Sequence, residues 1–436
     1  NTITQNRLSP PPPHGQSATP LIVSPPNKAT IDATQPVPPP TVEQTPLTRP
    51  LPATPATLPT SITPFIGRQI ELEQIAALMA QPQSRLITLI GSGGIGKTRL
   101  AIATGGAHQK NFADGVYFVP LVDVSPAERL VTAIANALDF TLYRREEEPL
   151  QQLLTYLANK QLLLILDNFE HLLDAAPLVA AILNQATGVK VLVTSRERLN
   201  IEGEWLVEVP GLAYPRPSQP IVANEPLLID YSAVELFVRS AQRVNASFAL
   251  DAQNQPAVVK ICLLVEGMPL ALELAAAWMR LLSCDEIVCE IQQGIAILST
   301  TQRNIPERHR SMVALFNYSW SLLNEVERKV VEQLAVFCGG FRRDAAQSIA
   351  GATLPILLSL SDKSLLRREG SGRFGMHELL RQFAAEKLSN DDPIAATVHD
   401  RHAAFFMQTL RGHASRLHGK QQKQILSEIL ADLENI

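Results

Sequence analysis

The chain has 436 residues, 46% of them hydrophobic and 18% charged, and its 38 Lys and Arg against 42 Asp and Glu leave a formal net charge of −4. That length holds roughly two to four domains, and the near-balance of charge gives no electrostatic footprint for nucleic acid or an anionic membrane as a partner. No apolar run reaches the length of a membrane span, and no signal-peptide pattern opens the chain.

Residues 1–60 hold 16 of the 32 prolines, no Phe, Trp or Tyr, and only five charges (Arg7, Lys28, Asp32, Glu43, Arg49). Such a segment buries too little apolar surface to offset the entropy of ordering, so it reads as a disordered, PPII-biased linker. The chain opens on Asn1 rather than methionine and stops inside a helical pattern, and so reads as part of a longer protein. Order is expected from Phe65-Ile66-Gly67-Arg68, followed by Ile70, Leu72, Ile75, Ala76, Leu78 and Met79 at helical spacing.

Leu86-Ile87-Thr88-Leu89-Ile90 is a β-rich apolar run suited to a buried parallel strand. Directly after it, Gly91-Ser92-Gly93-Gly94-Ile95-Gly96-Lys97-Thr98 fits G-x-x-x-x-G-K-[ST], the phosphate-binding P-loop, and the proline-free stretch from Thr98 to Ala107 opens a helix. Only backbone without Cβ curls so tightly and comes so close to a phosphate. The loop amides and the helix N-terminus then point at one anion. Lys97 is expected to reach the β- and γ-phosphates of a nucleotide, and the Thr98 hydroxyl to ligate Mg²⁺.

Val116 to Leu121 reads as a second strand whose Pro120 suggests a strand end or a sheet edge. Ser125 with Glu128 forms a capping box for a helix to about Leu138, and another helix covers Glu147 to Asn159. Leu162 to Asp167 is the most apolar strand and ends in an acid. Some seventy residues after a P-loop, that acid is expected to hold Mg²⁺ directly or through water. Lys190 to Thr194 is a further strand, followed by Ser195-Arg196, which places Arg196 at the carboxyl edge of the sheet, where it would read a γ-phosphate. Trp205 to Val209 completes five strands, and their alternation with helices predicts a doubly wound parallel α/β sheet.

Beyond Gly211 the pattern is helical, after a proline-punctuated stretch at 215–227. Helices are expected from Ser232, over Val258–Val265, and over Leu270–Leu282, where Pro269 takes the first turn at no cost. Two helices at about 312–323 and 325–337, then Arg343–Ala350 and Leu354–Leu360, lead to a strand–turn–strand around Gly370-Ser371-Gly372 and a helix opened by His377. Helices followed by a small hairpin describe a winged helix. From His399 the chain is helical and amphipathic again, as at the start of a helical-repeat array. Cys262, Cys284, Cys289 and Cys338 make no CxxC and no paired framework, and read as buried small hydrophobes in a reducing cytoplasm. His399, His402, His413 and His418 read as solvated helix faces rather than metal ligands.

With these motifs in place, residues 61–390 resemble the NB-ARC-like branch of the STAND class of P-loop ATPases, in the family's order. Phe65 to Arg68 matches the Gly-Arg motif that lies against the nucleotide in the family. Gly91 to Thr98 matches Walker A, Leu162 to Asp167 Walker B, and Thr194-Ser195-Arg196 sensor 1. Gly267-Met268-Pro269-Leu270 matches GLPL, and Met376-His377-Glu378 matches MHD. Asn6 to Pro11 also looks like the exit from a bacterial transcriptional activator domain.

The resemblance implies an ATP- and ADP-dependent molecular switch of a bacterial transcriptional regulator, closed with ADP and open and self-associating with ATP. The implied divisions are a linker at 1–60, a P-loop domain at 61–215, a helical domain at 216–302, a winged helix at 303–390 and the start of TPR-like repeats at 391–436. The implied nucleotide contacts are Arg68, Gly91, Gly93, Gly94, Ile95, Gly96, Lys97, Thr98, Arg99, Pro269 near the adenine, and His377 on the β-phosphate. Thr98 and Asp167 would hold Mg²⁺, and Asp167 and Arg196 would serve any hydrolysis. DNA would be bound by a domain outside this chain, and an inducer by the C-terminal repeats. A defence receptor using the same engine, or a P-loop hydrolase working by turnover, are the alternatives.

Two positions depart from the pattern. Asn168 stands where the family carries a second acid, and an amide orients water without accepting its proton, so hydrolysis is expected to be slow at most. Glu170, two residues on, is a possible substitute. Glu378 replaces the Asp of MHD.

Overall fold

The structure is a computed structural model that describes residues 58–60, 62–125, 129–143, 147–215, 228–300, 309–369, 372–389, 392–414 and 422–436. The linker to residue 57, Glu128 of the expected capping box, the proline-punctuated 216–227, Gly370-Ser371 and His418 lie outside them. The chain separates into two units, Asn1–Gln44 and Thr45–Ile436, and every described residue belongs to the second.

The first half runs α1 (Gln69–Met79), β1 (Leu86–Ile90), α2 (Lys97–His108), β2 (Val116–Pro120), α3 (Leu130–Ala137), α4 (Pro149–Leu157), β3 (Leu163–Asp167), α5 (Ala176–Gln185), β4 (Lys190–Ser195) and β5 (Glu204–Glu208). All strand pairs are parallel and the order is β2-β3-β4-β1-β5. β3 is an interior strand, flanked by β2 and β4, and buried along its whole length. Its side chains alternate between two apolar layers, as the two-residue period of a strand requires. Leu164 and Leu166 join the layer of α3, α4 and α5, while Leu163 and Ile165 join that of α1 and α2. β2 lies at the edge, which accommodates Pro120 at its end. The register pairs Ile90 with Ser195 and Asp167 with Thr194. The carboxyl ends of β1, β3 and β4 are therefore nearly flush, with the P-loop rising from the first of them.

The second half is α6 (Ser232–Val244), α7 (Gln255–Leu264), α8 (Pro269–Ala276), α9 (Cys284–Gln293), α10 (Met312–Ser321), α11 (Glu325–Leu334), α12 (Arg343–Ala350), α13 (Leu354–Asp362), β6 (Leu366–Arg368), β7 (Phe374–Met376), α14 (Glu378–Ser389), α15 (Asp392–Ala414) and α16 (Gln422–Ala431). β6 and β7 form the expected antiparallel hairpin. The helix expected to reach Leu282 stops at Ala276 and tightens into a 3₁₀ turn over Ala277–Arg280. Trp278 turns inward there and donates Nε1–H to the Ile297 carbonyl at 2.7 Å, while Leu281 is left exposed. α9 then follows on a complete capping box, Ser283 with Glu286.

Two sequence expectations change. Cys262 and Cys284 are buried, with burial pushing their thiols up to about 12 and about 11, but Cys289 and Cys338 are exposed. His402 is not on a solvated face. Its ring meets Phe337 edge-on and Phe406 at a tilt, because α15 packs against α12 and α14. Among the described residues no helix is long and apolar enough to cross a membrane, and no cluster of His, Cys, Asp and Glu is arranged to hold a metal. One apolar core runs from Ile66 under the sheet through the helices to Phe406. The helical half is thereby held over the carboxyl edge of the sheet.

Candidate functional site

A cleft of about 190 Å³ opens at that edge, lined by Gly93, Gly94, Gly96, Lys97, Thr98 and Arg99 from the P-loop and α2. Asn168, Glu170, Thr194 and Arg196 line it from the ends of β3 and β4, and Pro269, Leu270 and Glu273 from α8. A larger cavity of about 740 Å³ lies between the hairpin, α14 and α16. It has no phosphate loop, and its arginines face carboxylates: Arg367 with Glu266, Arg373 with Asp432, Arg381 with Glu378. The phosphate chemistry belongs to the smaller cleft.

The loop has the geometry its glycines allow. Gly96 caps α2 at φ 98°, a conformation an L side chain rarely adopts. A Cβ on Gly93 would stand 2.7 Å from Arg196 Nη2 and 2.8 Å from Leu315 Cδ1, so only glycine lets these groups approach. Lys97 Nζ donates to the Gly91 and Ser92 carbonyls at 2.7 and 3.0 Å, folded back along the loop at the cleft wall. Ile95 is buried beneath the loop.

At the end of β3, Asp167 Oδ1 accepts the Thr98 hydroxyl at 2.7 Å and the Thr194 hydroxyl at 2.6 Å. Burial pushes its carboxyl up, the two hydroxyl hydrogen bonds oppose that, and neighbouring Glu170 adds to it. A hydroxyl and a carboxylate meeting here are the hard oxygen donors a magnesium ion takes. The chain then turns through Asn168 in the left-handed region, φ 69°, which asparagine tolerates, into a 3₁₀ turn over Phe169–His171. That turn brings Glu170 back to the cleft, 2% exposed at its side chain, where its Oε1 accepts Arg196 Nε–H at 3.0 Å.

Arg196 is the junction of the site. Its Nη1 donates to Ser319 Oγ, and its guanidinium lies over the Tyr318 ring, 4.8 Å from the centroid. Ser364 Oγ donates to the Arg196 carbonyl at 2.5 Å. From the other side, the Leu270 amide donates to the Gly94 carbonyl at 3.2 Å. Pro269 Cγ lies 3.9 Å from where a Cβ on Gly96 would be. Two segments far downstream in the sequence thus close over the phosphate loop.

Two expected site residues, Arg68 and His377, sit elsewhere, and a third, Arg99, has a second role. Arg68 does not line the cleft: its guanidinium donates to the Ile95 carbonyl at 2.8 Å, the Pro210 carbonyl at 2.5 Å and Glu71 at 2.8 Å, bracing the loop from behind. Arg99 lines the cleft but also ties down the preceding segment through the Thr63 and Pro64 carbonyls, at 2.8 and 2.6 Å. His377 is not among the lining residues. Its Nδ1 is 4.0 Å from Glu266 Oε1, while Glu266 also accepts the Glu378 amide at 2.8 Å and pairs with Arg367. Burial works against the Glu266 carboxylate, but His377, Arg367 and that amide outweigh it and hold it below the usual carboxylate value. This anchor draws the loop at His377 onto the turn leading to Pro269, and so to the helical unit. Ser319, Tyr318 and Glu266 had no sequence signal of their own.

Comparison with known proteins agrees with this architecture. The family profile described as NB-ARC domain matches residues 68–203. Rv0890c of Mycobacterium tuberculosis, named as an HTH-type transcriptional regulator, is 34% identical over 341 residues, covering 76% of this chain and 36% of that protein. Rv0894 of the same organism, an uncharacterized protein, is 32% identical over 340 residues, covering 75% of this chain and 82% of that one. The regulatory protein AfsR of Streptomyces coelicolor is 25% identical, covering 77% of this chain and 34% of its own length. The chain thus spans about a third of the length of the regulators it matches.

Proposed function

The chain belongs to the NB-ARC branch of the STAND class of P-loop ATPases, and from that premise we propose that it is the nucleotide-dependent switch of a bacterial transcriptional regulator, closed with ADP and open with ATP. One observation carries the reading. The phosphate loop is roofed by Leu270, whose amide bonds Gly94, and by α10, whose Leu315 meets Gly93 and whose Ser319 takes Arg196. A nucleotide in the cleft would touch all three bodies at once.

Lys97, the amides of Gly93 to Thr98, and Arg99 are proposed to hold the phosphates, and Pro269 the base side of the ligand. Thr98 and Asp167 would hold a magnesium ion, which neutralises phosphate charge when bound. Arg196 would exchange Ser319 for a γ-phosphate. Arg68 and His377 act at one remove in this reading, Arg68 through the Ile95 carbonyl and His377 through Glu266. A ligand shifts such an equilibrium only by its differential affinity for the two states, and a near-complete flip needs about 5.5 kcal/mol. A charge-assisted hydrogen bond contributes about 1.5–3 kcal/mol, so several must change together. The contacts around Arg196 and Leu270 supply that number.

Residues 61–215, 216–302, 303–390 and 391–436 are taken as P-loop, helical, winged-helix and repeat bodies of this switch. Its further parts are self-association with ATP, DNA contact through another domain, an inducer on the repeats, and action in the cytoplasm. The test is titration of the purified chain with ADP and with ATP, beside Lys97→Ala. Tight binding that the substitution removes supports the reading, and unchanged affinity in Lys97→Ala refutes it.

A further inference from the structure

Hydrolysis at this cleft needs a group that takes a proton from water, and the position after the Walker B aspartate cannot supply one, because Asn168 is an amide. Asp167 is committed otherwise, its Oδ1 accepting both the Thr98 and the Thr194 hydroxyls. Two buried polar atoms at the cleft lack any partner in the protein: Glu170 Oε2 and Asn168 Nδ2. One is an acceptor and the other a donor, and both residues line the cleft beside Lys97 and Thr98. Leaving a buried polar group unpaired is costly, so each of these two atoms calls for a partner from solvent or ligand. A water molecule that accepts from an amide N–H and donates to a carboxylate fits both.

We propose that Glu170 is the catalytic base of ATP hydrolysis in this protein, with Asn168 orienting the attacking water; this rests on the nucleotide reading above. The Asn168 amide donates to the water oxygen, which keeps a lone pair directed at the γ-phosphorus. That oxygen forms the new P–O bond as one water proton passes to Glu170 Oε2. The bond from the γ-phosphorus to the bridging oxygen breaks, its electron pair leaves with ADP, and inorganic phosphate forms. Glu170 then returns its proton to solvent as phosphate departs. Arg196 is a positioning residue for this step: its Nε–H fixes Glu170 Oε1 at 3.0 Å and so leaves Oε2 for water. When Arg196 exchanges Ser319 for a γ-phosphate, its Nε–H still holds Glu170 Oε1, so the base stays in place as the cleft takes ATP.

The experiment compares the full chain with Glu170→Gln, Glu170→Asp and Arg196→Lys. Three quantities are read: affinity for a non-hydrolysable ATP analogue with Mg²⁺, single-turnover conversion of bound ATP, and the ATP-to-ADP ratio retained after desalting. Glu170→Gln keeps an acceptor for Arg196 and removes only the basic oxygen. It is expected to slow conversion on the order of 100- to 10,000-fold, with analogue affinity within about threefold, and to retain ATP where the parent retains ADP. Glu170→Asp should fall between the two. Conversion by Glu170→Gln within about threefold of the parent, or a parent that binds ATP and never converts it, overturns the inference and leaves the nucleotide reading standing. A fall in analogue affinity that matches the fall in conversion also overturns it, since Glu170 would then act only by holding Arg196. No binding by any of the four proteins would remove the nucleotide reading, and this inference with it.

Discussion

Arg196 Nη1 donates to Ser319 Oγ across 123 residues of sequence, joining the end of β4 to α10. The pair is buried and backed by the Tyr318 ring over the guanidinium. One side chain is therefore shared between the nucleotide cleft and the body that covers it.

Arg196→Ala and Ser319→Ala should each destabilise the closed chain, and their effects should not add. A double-mutant cycle by denaturant unfolding is expected to give a coupling of about 1 kcal/mol or more. Additive effects would mean the two residues do not work as a unit.

Lys97→Ala should weaken ADP and ATP on the order of 10- to 150-fold, since it removes a charge-assisted donor to phosphate. Its present acceptors are the Gly91 and Ser92 carbonyls, so the fold should survive the change. Calorimetric titration checks the first statement and thermal melting the second.

Asp167→Asn should abolish the gain in ATP affinity that Mg²⁺ confers. Binding with Mg²⁺ and binding with a chelator should then agree within about twofold if the Asp167 carboxylate, which meets the Thr98 hydroxyl, is the proposed magnesium ligand. A surviving magnesium effect would move the metal elsewhere.

The contact between His377 and Glu266 should weaken in mild acid. Burial lowers the His377 pKa; Glu266 and Glu378 raise it and Arg367 lowers it further, with the balance below the ordinary value. A histidine with a depressed folded pKa contributes stability that is present above its unfolded value near 6.5 and lost as pH falls through the folded value. Glu266, also depressed, acts in the same direction but only below about 4.5. Between pH 7.5 and 5.5 the parent should therefore lose stability, by at most about 1.4 kcal/mol per pH unit, and His377→Gln should lose less. Parallel pH curves for the two proteins would contradict this.

Much of the α/β half could be read from the sequence because a strand buried on both faces is an uninterrupted apolar run. β3 and β4 were located to within a residue or so for that reason, and the P-loop glycines announced the cleft. The strand order could not be read, since no local pattern records which neighbour a parallel strand takes. α9 was missed although Ser283 and Glu286 spelled its capping box, with Cys284, Ile287 and Ile291 on its buried face. The placement of Arg68 depended on backbone carbonyls at Ile95 and Pro210, and that of His377 on Glu266 more than 100 residues away. An arginine's charge is visible in a sequence, but its acceptor is not when that acceptor is main chain brought in by the fold.

In the proposed switch, the bound nucleotide decides whether α10 stays on the cleft. Amide hydrogen exchange over Met312–Ser321 measures this most directly, with the full chain saturated by ADP and then by a non-hydrolysable ATP analogue. Strong protection of α10 is expected with ADP and a clear loss with the analogue, while β1 and β3 stay protected in both. Equal protection of α10 with the two nucleotides would contradict it.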